Sequence, residues 1–431
     1  MTRPHRVLVL VPGALGDRLS GPEIRAWELA RGLAADHDVT AAVRAPVSGH
    51  RDGVRLVPWT RRRVFGEALR HDAVLSSCLP PFLLAVKPVH RTVAISDQYD
   101  PQELELATLA SDRARDREMR AATAVRRLQL RHADLVLCAG VRQREALLEV
   151  WPDGATAPPP IVIPFGIPPA PPPPRRRPLR ERFAQIGEHD TVVLWWGSIW
   201  RWLDAATAIR AIAAIAARRP DVKLVITAGR VPSGGGDRFE AAGEARALAH
   251  SLGVLDRSVF FVDDWIAYDE RHEVLADADL GITLPLDSAE AHLAARARYM
   301  DYLWAGLPCV LGRGDETAGE FAEAGFATLV DPGDPHAVQR AVLALADDPR
   351  ALDAARQAGR KLADERRWTS VAATLRAALR SRPAPRRTGP GRELADLMAG
   401  ATSYYASQAS MRMAHAAPRW KDAATARVDP A

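Results

Sequence analysis

AEAHLAARARYMDYLWAGLPCVL, residues Ala289 to Leu311, brings together an acid, two arginines two positions apart, an aspartate and a small-Gly-x-Pro turn. The pattern predicts a helix from about His292 to Trp304. Ala305-Gly306-Leu307-Pro308 ends it, because proline cannot continue a helix and glycine suits the turn that follows one. Cys309-Val310-Leu311 then reads as the start of an apolar strand. A helix N-terminus with arginines behind it attracts an anion such as a diphosphate. A carboxylate further along, such as Asp301, suits the hydroxyls of a sugar. On one straight helix Arg296 and Arg298 point about 200° apart, so both face one phosphate only if the helix begins later. Asp301 lies three beyond Arg298 on roughly the same face, which favours Arg298; a plain ion pair along the helix explains the spacing equally well.

The chain has 431 residues, which suggests two domains with additions, since one core rarely outgrows about 250–300 residues. The formal charge is +5. Much of the excess lies in Arg61-Arg62-Arg63, Arg175-Arg176-Arg177 and Arg386-Arg387, with no zinc-finger spacing and no aromatic–basic interleaving, so nucleic acid is not expected as a partner. Solvated arginine faces explain the runs, and a weak peripheral attraction to anionic lipid stays open. Cys78, Cys138 and Cys309 are isolated in apolar sequence and read as buried reduced thiols of a cytoplasmic protein. The basic and apolar start, Met1 to Gly16, reads as a strand entering a loop rather than a signal peptide. No apolar run reaches the roughly 18 residues of a membrane helix.

Short apolar strands alternate with helical segments on both sides of a proline-rich stretch. Before it, strands are expected at Arg6–Val11, Asp38–Arg44, Val54–Val57, Ala73–Ser76, Thr92–Ile95 and Leu135–Cys138, with helices around Pro22–Ala35, Phe65–Arg70, Gln102–His132 and Arg142–Val150. Ala157–Pro178 holds 11 of the 33 prolines and reads as semi-rigid connection, with Ile161–Ile163 as a last strand inside it. After it, strands are expected at Thr191–Trp195, Lys223–Thr227, Val259–Val262 and Leu280–Leu284 before the opening stretch, and at Thr328–Val330 beyond it. Such alternation predicts two α/β domains, each a parallel sheet covered on both faces, with a ligand cleft at the carboxyl ends of the strands. The expected boundaries are 1–168, a linker at 169–184, a second domain at 185–380 and a tail at 381–431 that is disordered or docked on the body.

Several loops at strand ends carry candidate chemistry. Gly13, Gly16 and Gly21 lie between the first strand and helix, spaced G-x-x-G-x-x-x-x-G rather than as a dinucleotide fingerprint; an ordinary βα turn and an anion-approaching loop both fit. Asp97 and Asp100 end another strand; Asp100-Pro101 suits a helix start, which leaves Asp97 as the better site candidate. In the second half, Gly197 and Ser198 stand in the tryptophan-rich loop Trp196–Trp202 with Arg201 beside them. Trp265-Ile266 could present a ring and backbone to a nucleobase, or form a turn with a buried tryptophan. Arg230 follows a strand and is a second diphosphate candidate.

From about residue 6 to 375 the chain resembles a GT-B-fold retaining glycosyltransferase of family 4, also called glycosyl transferase group 1. The similarity rests on the N-terminal glycine loop, VIPFGIPP (Val162–Pro169), DADLGITLPL (Asp277–Leu286), DYLWAGLPCVL (Asp301–Leu311), DPGDP (Asp331–Pro335) and the WGSIWRWLD segment. The resemblance implies two Rossmann-like domains facing each other across a cleft, the second holding the nucleotide of the donor and the first the acceptor. It implies a nucleoside diphosphate sugar, UDP- or GDP-linked, as co-substrate, and no metal or other cofactor. Of the two glutamates eight apart that the group commonly carries, the second falls on Asp301 and the first on Leu293, with Glu290 the nearest acid. The group's Arg and Lys near the first loop of the second domain are replaced by Ser198 and Leu203.

The expected roles follow from that resemblance. Glu290, Asp97 and Arg201 are the catalytic candidates. Gly197, Ser198, Arg230, Trp265, Ile266, Arg296, Arg298 and Asp301 are expected around the donor, and Gly13, Gly16 and Gly21 around phosphate and acceptor. The alternatives are a GT-B protein that inverts or epimerises, and a non-catalytic nucleotide-binding or interaction subunit.

Overall fold

The computed structural model describes residues 4–85, 92–108, 113–152, 157–228, 240–381 and 402. Arg230, the Arg386-Arg387 pair and nearly all of the expected tail lie outside them. The first sheet has eight strands: β1 (Arg6–Leu10), β2 (Asp38–Val43), β3 (Gly49–Arg51), β4 (Val54–Pro58), β5 (Ala73–Ser76), β6 (Val93–Asp97), β7 (Leu135–Cys138) and β8 (Ile161–Val162), in the order β3-β4-β2-β1-β5-β6-β7-β8. The second has six: β9 (Thr191–Trp195), β10 (Val222–Thr227), β11 (Val259–Val262), β12 (Leu280–Thr283), β13 (Cys309–Gly312) and β14 (Ala327–Val330), ordered β11-β10-β9-β12-β13-β14. All pairs are parallel except β3–β4. Parallel strands buried on both faces need apolar side chains at every position, which is why VLVL of β1 and VVLW of β9 are wholly buried.

The helices beside the first sheet are α1 (Gly21–Leu33), α2 (Arg61–Ala68), α3 (Pro81–Ala85), α4 (Gln102–Ala107), α5 (Arg113–His132) and α6 (Val141–Glu149). Beyond them come α7 (Pro178–Arg182), α8 (Ala205–Ala216), α9 (Glu240–Ser251), α10 (Arg271–Ala276), α11 (Ala289–Leu293), α12 (Ala297–Ala305), α13 (Glu316–Glu323), α14 (Pro335–Ala346), α15 (Pro349–Glu365) and α16 (Trp368–Arg380). Three expectations change. The helix expected over Gln102–His132 is two helices, α4 and α5. The helix expected from His292 to Trp304 is also two, because Ala294 to Arg296 run extended between α11 and α12. β3 was not expected, although Asp52-Gly53, with φ of 50° and 78°, is the dipeptide that closes a two-residue hairpin.

The proline-rich linker is pinned rather than free. Within it α7 docks on the second domain, where Leu179 N donates to Asp277 Oδ2 at 2.8 Å and Arg180 Nη1 lies 2.6 Å from Asp277 Oδ1. The chain then crosses back. α16 leaves the second domain and packs on α1, with Arg376 donating to Gly32 O at 2.8 Å and Arg380 pairing with Asp36 at 2.7 Å. The stretch expected as one domain, 185–380, thus ends on the first sheet's side of the molecule. The two crossings are hydrogen-bonded to each other: Ile167 N donates to Arg366 O at 2.7 Å and Trp368 N to Ile167 O at 3.0 Å. Gly166 lets the Trp368 ring lie against the backbone, since a Cβ there would sit 2.6 Å from the indole.

Each sheet changes direction beside its first strand, at β1/β5 and at β9/β12. Crevices in doubly wound sheets open at such points, beyond the carboxyl ends of the strands. Gly166→Ala should overpack the crossing and lower stability by about 1–3 kcal/mol, read by urea unfolding; an unchanged midpoint would remove Trp368 from this role.

Candidate functional site

A cavity of about 500 Å³ lies between the two sheets and is lined from both sides. That size is typical of small-ligand sites, which run roughly 300–1,000 Å³. The second domain supplies Trp196-Gly197-Ser198 after β9, Thr227 at the end of β10, Trp265-Ile266 after β11, and Glu290, Ala294 to Arg298 and Asp301 after β12. The first supplies Ser20 to Ile24 at the start of α1, Tyr99 to Gln102 after β6, and Glu105 and Phe165.

The α12 helix is placed by Tyr302. Its ring lies against Gly281 of β12, where a Cβ would be 2.8 Å away, and its buried hydroxyl stands 3.2 Å from Leu194 O and 2.9 Å from Ile282 O. The same hydroxyl accepts from Trp196 N at 3.1 Å. Gly306, at φ 65°, closes the helix in a left-handed cap. One aromatic residue thereby holds α12 across the ends of β9 and β12, with its N-terminal turn at the cleft.

The later start of α12 separates the two arginines. Arg296 precedes the helix in extended conformation, buried, with Nη2 donating to Glu290 Oε2 at 2.8 Å and Nε 3.6 Å from Asp315 Oδ2. Burial opposes its charge, yet Tyr299, Glu290 and Asp315 hold its pKa above the ordinary arginine value. Arg296 is therefore ion-paired with two carboxylates, although its buried Nε makes no hydrogen bond among the described residues. Arg298 stands in the first turn, with Nη2 donating to Ser198 O at 2.9 Å. Its guanidinium lies 3.5 Å from where a Gly197 Cβ would be, and Gly197 adopts a φ of 83° that favours glycine. Arg298 Nη1 is buried and has no hydrogen-bond partner among the described residues. Burial pushes the Arg298 guanidinium down to about 10. A half-buried cation whose buried Nη1 is unmatched, at the mouth of the sheet and beside a helix N-terminus, has the chemistry that suits an anion.

Asp301 is partly committed. It accepts from Trp196 Nε1 at 2.9 Å and from Arg271 Nε at 3.1 Å, and burial pushes its carboxyl above the usual aspartate range against the pull of Arg271. Arg271 also stacks between Tyr268 and Trp304, 3.6 Å and 4.1 Å from the ring centroids. Glu290 lines the cleft although its residue is only 2% exposed. Trp265 and Ile266 are half-buried there, and Trp200 stacks on buried Trp202 with centroids 5.2 Å apart.

The other sequence candidates lie elsewhere. Asp97 is beneath the cleft, held by both ends of the buried Arg25 guanidinium at 2.7 and 2.9 Å. Arg25 itself lies 5.0 Å from both the Tyr99 and the Phe165 ring centroids. Arg201 is outside the cleft lining and pairs with Glu244 at 3.6 Å. Of the three loop glycines only Gly21 lines the cleft, against Ala297. Gly13 makes room for Glu23, which accepts from Ser20 N at 3.0 Å and caps α1. A carboxylate on that helix start disfavours an anion there. Cys138 and Cys309 are buried as expected, whereas Cys78 is half-buried beside Gln129. Sequence reasoning missed Arg25, Tyr268, Arg271 and Gln143. Arg25 was detectable as a charge on the buried face of an amphipathic helix.

No protein-family model matches the chain and no curated protein matches it by sequence. Solved structures do match. Sucrose-phosphate synthase from Thermosynechococcus elongatus superposes with a TM-score of 0.63 at 17% identity, over 88% of this chain and 98% of that one. Anabaena HepE, solved in complex with UDP and glucose, gives 0.66 at 16% identity over 88% and 100%. WaaG, a glycosyltransferase involved in lipopolysaccharide biosynthesis, gives 0.62 at 16% identity over 86% and 99%. The fold is GT-B. Within it, Arg298, Gly197, Trp265, Glu290 and Asp301 share one cleft, and Asp97 and Arg201 do not line it.

The geometry separates a structural Asp97 from a catalytic one. Asp97→Ala leaves a buried arginine unpaired and should cost about 3–5 kcal/mol in urea unfolding. The double variant Asp97→Ala/Arg25→Met should recover most of that loss; if it does not, the pair is not what Asp97 is held for.

Proposed function

We propose that the protein is a glycosyltransferase that moves a sugar from a nucleoside diphosphate sugar to a hydroxyl acceptor, with UDP as the carrier. The observation that carries this reading is Arg298, a half-buried guanidinium whose buried Nη1 is unmatched, beside the N-terminus of α12. Support for UDP comes from the HepE structures with UDP-glucose and from a UDP-forming trehalose-phosphate synthase of Burkholderia xenovorans, which superposes with a TM-score of 0.57 at 13% identity over 88% of this chain and 99% of that one.

In this reading the diphosphate lies against Arg298 and the free N–H groups that start α12, with Gly197 allowing close approach. These dipoles meet the charge that develops on the leaving diphosphate, which is where electrostatic stabilisation acts on rate. Arginine and backbone carry that load without a metal. The Trp265-Ile266 loop takes the base, Asp301 the ribose and Glu290 the sugar hydroxyls, with Arg296 and Asp315 fixing Glu290. The first-domain wall of Ser20, Glu23 and Tyr99 takes the acceptor. In the retaining course the departing diphosphate oxygen receives the acceptor proton on the face it leaves. Closure of the cleft keeps water from the donor.

Thermal shift against UDP, GDP, ADP, CDP and TDP is the first test. UDP at about 100-fold over its Kd should add about 2.7 kcal/mol of stability, while silence with every nucleotide would sink the proposal. With a UDP-sugar, Glu290→Gln should slow transfer about 10- to 100-fold through loss of a charged hydrogen bond. The product should keep the donor's anomeric configuration by NMR, and EDTA should leave the rate unchanged.

A further inference from the structure

Beside the cleft, the N-terminus of α6 in the first domain is gripped by the second. Glu316, the first residue of α13, accepts from Val141 N at 3.1 Å and Arg142 N at 3.0 Å. Gly140 is the residue before the helix, and a Cβ there would lie 2.6 Å from Glu316 Oε2, so the grip needs glycine. Arg142 Nη1 donates to Gly314 O at 2.5 Å. The buried Gln143 completes the contact. Its Oε1 accepts from Ala139 N at 2.7 Å, and its Nε2 donates to Tyr99 O at 2.8 Å and Leu293 O at 2.5 Å. One amide thus uses its acceptor and both donors, joining the acceptor-side loop after β6 to the last residue of α11.

The gripped segments are those that carry the donor-site carboxylate. α11 bears Glu290, three residues before Leu293. Asp315 caps α13 by accepting from Ala318 N at 2.8 Å and also faces Arg296, the partner of Glu290. Asp315 and Glu316 are neighbours: the first looks toward the donor site, the second toward the first domain. We infer that Gln143, with Glu316 and the Gly140–Arg142 turn, is a positioning device that fixes Glu290 and Arg296 in the cleft when the two domains are closed on each other. Donor-site assembly is thereby coupled to closure, and a donor held by an open molecule lacks a correctly placed Glu290. The kinetic part of this inference rests on the glycosyltransferase reading; the structural part does not.

The test uses the full chain. Gln143→Leu removes the bridge, and Gly140→Ala displaces Glu316 without deleting a hydrogen-bonding group of the grip. Both should scatter X-rays as larger particles than wild type. Both should lower kcat for transfer about 10- to 100-fold, the effect expected of a reacting group misplaced by about 1 Å. Affinity for UDP, which does not reach Glu290, should stay within about threefold in both. Glu316→Gln, which keeps shape and loses charge, should show the same signs more weakly and serves if Gln143→Leu fails to fold. Scattering identical to wild type in Gly140→Ala and Glu316→Gln would overturn the grip. Loss of UDP binding in step with lost thermal stability would overturn the positioning role. A wild type that binds no nucleotide and transfers no sugar would overturn the functional reading instead, and the scattering comparison would still decide the grip.

Discussion

A guanidinium partly withdrawn from water needs compensation, and half-buried Arg298 is compensated only in part. Its Nη2 has Ser198 O, its Nη1 has no partner among the described residues, and burial has already lowered its hold on the proton. Burying a charged group without full pairing costs several kcal/mol. The surrounding fold over-determines it nonetheless: Tyr302 ties α12 across two strand ends, Gly281 admits that ring, and Gly197 takes a positive φ next to the arginine. Local cost held in place by its neighbours is characteristic of functional sites.

The contrast with Arg296 shows how two arginines two residues apart come to do different work. Arg296 faces Glu290 and Asp315, so it organises a carboxylate and has little charge left for a ligand. Arg298 faces a backbone carbonyl and the cavity. The break between α11 and α12 makes this possible, because a straight helix would have pointed one of the two away from the cleft. Asp97 and Arg25 repeat the structural pattern in the first domain, where a satisfied ion pair beside Tyr99 and Phe165 supports that domain's wall of the cleft.

Most of the architecture was legible because buried parallel strands leave continuous apolar runs, and these placed all strands but β3 to within a few residues. β3 was missed because Gly49-His50-Arg51 is exposed and polar, so its Asp-Gly turn was the only signal. The cleft's second-domain lining was legible in part: Gly197 and Trp265 follow strand ends, and Glu290, Arg298 and Asp301 line the same cavity from α11 and α12. Asp97 was read as free because its partner, Arg25, is 72 residues away in sequence and reaches it only through the fold. Arg271 and Gln143 were invisible for the same reason. Their contacts, to Asp301 and to Leu293, join segments that no local pattern relates.

The most direct test of the account is Arg298→Met, examined by urea unfolding without ligand and by calorimetry with UDP. A cation kept for an anion should be dispensable to the empty protein, so the variant should be at least as stable as wild type. Its affinity for UDP should fall at least about 10-fold, the loss of one charge-assisted bond. A variant that binds UDP as wild type does, or one whose empty form is strongly destabilised, would contradict the claim that Arg298 is held for the diphosphate.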